Sequence, residues 1–124
     1  MSSRILIVDD SSLARRRART ILEAGGYEVI EADDGIAALE RYFVEKPDVV
    51  MLDLVMKGMY GLEVLAQLRQ MDPDARVIVV SADVQTSSHE MAEQGGAAGF
   101  LVKPLDEADA LSMIRRTLGE VDAT

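Results

Sequence analysis

Short, continuous runs of aliphatic residues alternate five times with stretches of helical periodicity, and this alternation leaves the chain few folds to adopt. Apolar residues fill Ile5 to Val8, Val29 and Ile30 lie within Tyr27 to Glu31, Val49 to Leu52 and Val77 to Val80 are continuous, and Phe100 to Val102 is short. Runs that are apolar at every position, rather than at every second one, suit strands covered on both faces, as in a parallel sheet with helices on each side.

The intervening segments read as helices. Ser11 or Ser12 can cap the first, which carries Leu13, Ala14, Ala18, Ile21 and Leu22 and stops at Gly25-Gly26. The second starts near Asp34-Gly35, runs through Ile36, Ala37, Leu39, Tyr42 and Phe43, and ends before Pro47. A third follows Gly61 with Leu62, Val64, Leu65 and Leu68 until Asp72-Pro73. The fourth, Thr86 to Gln94, has Met91 and Ala92 as its clear apolar contacts and is expected to be the least firmly packed; the fifth spans Asp106 to Leu118, with Leu111, Ile114 and Leu118 at helical spacing. Residues Gly119 to Thr124 read as a frayed tail. Strict alternation of this kind predicts an α/β sandwich with right-handed crossovers. At 124 residues the chain is the size of one domain, 1–124, with its core over about 4–118.

Charge narrows the partners. A net charge of -9 makes a nucleic-acid or anionic membrane surface a poor match, and suits a metal ion or a neutral or basic protein. There is no cysteine for a disulfide or a thiolate metal site. Met1 to Ile5 opens no signal peptide, because the apolar run stops at Val8 in two aspartates, and no segment approaches a membrane span, so the expected location is the cytoplasm.

In an open parallel sheet the ligand site lies beyond the carboxyl ends of the strands, where strand order reverses. The residues there are Asp9 and Asp10 after the first run, Asp53 after the third, Ser81 after the fourth and Lys103-Pro104 after the fifth. Carboxylates crowded at one edge repel, by about 1 kcal/mol per pair at roughly 4 Å in bulk water and about 4 kcal/mol at an effective dielectric near 20. Such a set asks for a hard cation, with a hydroxyl and an ammonium beside it, and Mg²⁺ bound through carboxylates with positions left for water and phosphoryl oxygens is its usual use. Read singly, the same residues have ordinary roles: Asp9 and Asp10 as helix caps, Ser81 as a loop hydroxyl, Lys103 as a solvated charge, Phe100 as core. Joint placement at one edge favours chemistry.

Asp-Asp, then Asp, then Ser-Ala, then Lys-Pro, each after a hydrophobic strand, closely resembles the CheY-like receiver domain of bacterial two-component response regulators over Arg4 to Leu118. The resemblance implies a doubly wound, flavodoxin-like sheet of five parallel strands in order 2-1-3-4-5 flanked by five helices. It implies that Asp53 is the phosphoacceptor, taking a phosphoryl group from a histidine kinase, a phosphotransfer protein or a small phosphodonor. Asp10 and Asp53 would bind Mg²⁺, Asp9 through water or as a second acid, with the backbone carbonyl of Val55 completing the protein ligands. Lys103 would pair with Asp53 and then with a phosphoryl oxygen; Ser81 and Phe100 would move as the switch; the Lys103-Pro104 peptide would be cis. The output implied is a change in the surface of the fourth helix, fifth strand and fifth helix, read by a downstream protein, in a signalling protein that promotes its own phosphorylation and dephosphorylation rather than a conventional enzyme. It would be a monomer or a phosphorylation-dependent dimer, and either self-standing or a receiver excised from a longer regulator.

Two positions depart from the family pattern: Lys57 stands where proline is usual and Tyr60 where Asp or Asn is usual. Losing the proline loosens the loop by about 0.4 to 1 kcal/mol. Val55 and Asp83 are where the family varies its loss of phosphate; Val55 cannot bond an attacking water whereas Asp83 could, so dephosphorylation is expected to be slow to moderate, with a role for a phosphatase. A haloacid-dehalogenase-type phosphatase needs a second acid where Val55 stands, and a flavodoxin-type carrier needs a phosphate loop that Asp9-Asp10 would repel. A pseudo-receiver that only binds proteins is disfavoured by the intact acidic set. Arg15, Arg16, Arg17 and Arg19 read as a solvated face, Asp33-Asp34-Gly35 as a turn and cap, His89 as exposed, and the methionines near Asp53 as packing.

Overall fold

A computed structural model describes residues 2–56, 60–82 and 86–120. Strands and helices alternate: β1 (Arg4–Val8), α1 (Ser12–Ala24), β2 (Glu28–Ala32), α2 (Gly35–Glu45), β3 (Val49–Asp53), α3 (Gly61–Met71), β4 (Val77–Ser81), α4 (Thr86–Gln94), β5 (Gly99–Val102) and α5 (Glu107–Leu118). The five strands form one parallel sheet in the order β2-β1-β3-β4-β5, so β2 is an edge strand and strand order reverses beside β1 and β3.

Side chains alternate across each strand and build two cores. Leu6, Val8, Val50, Leu52, Val77 and Val79 pack with Ala38 and Tyr42 of α2, Val64, Leu65 and Leu68 of α3, and Ala92 of α4. Ile5, Ile7, Val49, Met51, Ile78 and Val80 pack with Ala18, Ile21 and Leu22 of α1 and Ala110, Leu111 and Ile114 of α5. Each fully buried aliphatic side chain is worth about 1.5–3 kcal/mol over its exposed state, which is why β3 and β4 carry no polar residue before Asp53 and Ser81, and β1 none after Arg4.

Helix ends follow local chemistry. The Ser11 hydroxyl accepts from the Ala14 N–H at 3.2 Å, Asp34 Oδ1 from the Ala37 N–H at 2.7 Å, and Asp106 Oδ2 from the Asp109 N–H at 3.0 Å, each satisfying a helix-terminal donor. Gly119, at φ 76°, ends α5. The tail does not fray at once: the Glu120 N–H donates to the Arg115 carbonyl at 2.9 Å, and Tyr27 Oη donates to Glu120 Oε2 at 3.1 Å.

Four expected core residues face solvent instead. Leu13, Ile36, Phe43 and Met91 are exposed. At about 100° per residue, Leu13 stands 100° or more around the helix from Ala18, Ile36 and Phe43 from Ala38, and Met91 from Ala92, which are the residues that pack. Ala92 is the one buried side chain among those described in α4, so that helix is indeed the most lightly anchored. No described helix is long and apolar enough to cross a membrane.

Candidate functional site

Parallel register brings the strand ends together. Val8 pairs with Leu52, Asp53 with Val80, and Ser81 with Val102, so Asp9, Asp53, Ser81 and Lys103 follow one another along one sheet edge. Asp9 and Asp53 continue the rows of Ile5/Ile7 and Val49/Met51 and face the α1/α5 side, whereas Ser81 continues Val77/Val79 on the α3/α4 side. A backbone bond from the Lys103 N–H to the Ser81 carbonyl, 2.9 Å, ties the two halves of the edge.

Asp9, Asp10 and Asp53 each offer a carboxylate oxygen, all within 4.8 Å of one another; Asp9 and Asp53 are buried and Asp10 is exposed. Lys103 Nζ donates to Asp9 Oδ2 at 2.7 Å and lies 3.4 Å from Asp53 Oδ2. The ammonium therefore bridges both acids and sits closer to Asp9, where the sequence reading pairs it with Asp53. Burial, then the Asp9 charge, pushes the Asp53 carboxyl above its ordinary value against the pull of Lys103 and the Val55 N–H. Burial pulls Lys103 down, but Asp9 and Asp53 outweigh it and hold the ammonium above its ordinary value.

The backbone around these groups is tightly held. Asp9 Oδ1 accepts the Ser11 N–H at 2.9 Å, and the Asp9 carbonyl accepts from Arg15 Nη1 at 2.7 Å. Arg15 Nε in turn donates to Glu31 Oε1 at 3.0 Å, and Arg19 Nε to Glu31 Oε2 at 2.8 Å. Burial pushes Glu31 up, yet the two guanidiniums prevail and hold its carboxyl below the usual range. Arg17 Nη2 donates to the Leu105 carbonyl at 3.0 Å, so three of the four clustered arginines are engaged within the fold and Arg16 is exposed. Val55 donates its N–H to Asp53 Oδ1 at 3.3 Å and leaves its side chain exposed. Gly61 donates its N–H to the Leu54 carbonyl at 2.9 Å, and a Cβ at that position would meet the Asp53 carbonyl oxygen and, at 2.6 Å, Leu54 Cα. Only glycine lets α3 start this close to the strand end. The Lys103-Pro104 peptide is cis.

Ser81 is buried and Phe100 half-buried on the same sheet face, with Phe100 opposite Val79 and Val102 opposite Ser81. His89 is exposed, as expected, but its ring centroid lies 4.9 Å from that of Phe100. That pair, the Arg15-Glu31-Arg19 staple, the Lys103-Asp9 bond and the role of Gly61 escaped the sequence reading; a glycine at a helix start beside a strand-end acid was the one available signal. Lys57, Met59 and Asp83 lie outside the described residues. A cleft of about 530 Å³ near Tyr42, Phe43, Pro47 and Met71 stands at the amino end of the sheet, away from the acids.

A family model described as the response regulator receiver domain matches residues 5–115. Chemotaxis protein CheY of Bacillus subtilis is 41% identical over 119 residues, 95% of this chain and 99% of that one. Response regulator MprA of Mycobacterium ulcerans is 37% identical over 118 residues, 95% of this chain and 51% of that one. Among solved structures, the CheX-CheY-BeF3-Mg+2 complex from Borrelia burgdorferi matches with a TM-score of 0.88 and 33% identity, covering 92% of this chain and 87% of that one. With a family model matching residues 5–115 and a CheY relative 41% identical over 99% of its own length, the chain belongs to the response regulator receiver domain family of two-component systems.

Proposed function

We propose that the chain is a phosphoacceptor switch in which Asp53 takes a phosphoryl group from a histidine kinase or a phosphotransfer protein. The observation that carries this reading is Asp53 itself: a buried carboxylate at the end of a central strand, flanked by Asp9 and by the Lys103 ammonium at 3.4 Å. A carboxylate oxygen of Asp53 attacks phosphorus and forms the new O–P bond; the P–N bond to the donor histidine breaks, and its electron pair leaves on the imidazole nitrogen, which takes a proton. An ionised aspartate needs no base, so catalysis reduces to position and charge neutralisation. Lys103 donates to one phosphoryl oxygen and the Ser81 hydroxyl to another.

The donor set fits a hard divalent cation, being made of oxygens within 4.8 Å of one another. Asp10, Asp53 and the Val55 carbonyl would hold Mg²⁺, with Asp9 through water or as a second acid. Bound there, the ion neutralises charge on the phosphoryl oxygens. The composition of the Borrelia burgdorferi complex, with BeF3, Mg and CheX, supports both a metal and a protein partner.

Phosphorylation then draws Ser81 and Phe100 inward and shifts the α4-β5-α5 surface between two states, changing affinity for a downstream protein. The reading extends to a cytoplasmic protein, a single domain over the whole chain, and slow to moderate self-dephosphorylation assisted by a phosphatase. A second reading, a receiver belonging to a longer regulator, is favoured by MprA, of which the match spans about half. The test is incubation with Mg²⁺ and acetyl phosphate: wild type should gain the mass of one phosphoryl group and Asp53→Asn should not. No gain in wild type would make the chain a pseudo-receiver.

A further inference from the structure

His89 is the only histidine of the chain. Its ring and that of Phe100 meet with centroids 4.9 Å apart and planes inclined at 46°. Phe100 is half-buried and packs against the core on the α3/α4 side of the sheet. On one side lies a groove of about 350 Å³ that it lines with His89, Glu93, Ala97 and Met113, and on the other a groove of about 330 Å³ that it lines with Val102, Pro104 and Met113. Phe100 thus lines both grooves and lies on the same sheet face as Val79 and Ser81. Core packing alone locks a side chain only where neighbours surround it. The aromatic contact to α4 is what adds a directional preference here.

We infer that His89 is a positioning residue that holds Phe100 in the half-buried placement seen here and so sets how often the unphosphorylated protein samples the inward arrangement. The inference rests on the switch reading above and adds to it the element that restrains the switch. Ala92 is the one buried side chain among those described in α4, so the ring contact adds to a lightly packed helix. Removing it should raise the inward population by about twofold to tenfold, the range expected for one aromatic pair.

The test uses the full chain with ¹³C-labelled phenylalanine, in which exposed Phe43 on α2 is the internal reference. In His89→Ala without phosphodonor, the Phe100 ring signals should move toward their positions in wild type treated with beryllofluoride and Mg²⁺. Modification of Asp53 by acetyl phosphate should quicken by about twofold to tenfold, and His89→Phe, which keeps a ring, should restore both readouts. A merely structural role would lower stability and leave the Phe100 signals and the rate in place. Unmoved Phe100 signals with an unchanged or slower rate in His89→Ala, in a protein still modified at Asp53, would overturn the inference alone. Wild-type Phe100 signals that ignore beryllofluoride would overturn the switch reading and this inference with it.

Discussion

At Asp53 the resting protein carries an electrostatic cost. Its carboxyl is pushed above the ordinary value of 3.8 by burial and by Asp9. The folded protein therefore holds that proton more tightly than the unfolded chain, and stability falls as pH rises from 3.8 through the higher folded value, after which the full cost is in place. Lys103 works in the opposite sense: its raised value means that its stabilising contribution is complete at neutral pH and is lost only as pH climbs through a value above 10.5. Asp53→Asn, melted in metal-free buffer at pH 7, should gain on the order of 1 kcal/mol, or about 3 to 6 °C in Tm, with the gain vanishing below about pH 4. An equal or lower Tm at pH 7 would mean that Lys103 offsets the whole burden. The existence of this cluster was legible in the chain, because strand-end acids follow directly from where apolar runs stop. The sharing of Lys103 between Asp9 and Asp53 was not, since both acids are within reach of one flexible side chain.

Elements carry the next constraint, the approach of α3 to the end of β3. Gly61→Ala would drive a methyl group into the Asp53 carbonyl oxygen and Leu54 Cα, both backbone atoms that cannot rotate away. The helix start must retreat, at a cost of about 1–3 kcal/mol, and the carboxylate of Asp53 shifts with its backbone. Denaturant unfolding should show the loss, and Asp53 modification by acetyl phosphate should slow; Gly95→Ala, whose new Cβ would meet the side-chain atom Leu65 Cδ2 at 2.9 Å rather than the Asp53 backbone, should leave the modification rate near wild type. Helix positions were readable from periodicity and caps, as Ser11, Asp34 and Asp106 show. Which apolar residues of each helix are buried was less so. Leu13, Ile36, Phe43 and Met91 lie beside the packing stripe rather than on it, and only the rotation of each helix against the sheet settles that.

For the molecule as a whole, a divalent cation should couple to stability, because the charge it neutralises is built into the fold. If Mg²⁺ binds the native acid cluster and not the unfolded chain, wild type should gain about 1.4 kcal/mol when the free ion is at ten times its Kd, and Asp10→Asn should gain less at the same concentration. Calcium-free and magnesium-free melts against a magnesium titration measure it; equal gains in wild type and Asp10→Asn would remove Asp10 from the proposed ligand set. The order of strands and helices, the strand-end residues and hence the gathering of acids at one edge were determined by the sequence alone, because burial on both faces demands continuous apolar runs and polar residues must then fall at their ends. Tertiary structure decided the partnerships. Lys103 meets Asp9 across 94 residues, Arg17 meets Leu105 across 88, and His89 meets Phe100 from a different element. Such contacts depend on sheet order, register and helix rotation together, and no local pattern of residues encodes a distance between chains of atoms that meet only once the sheet has closed.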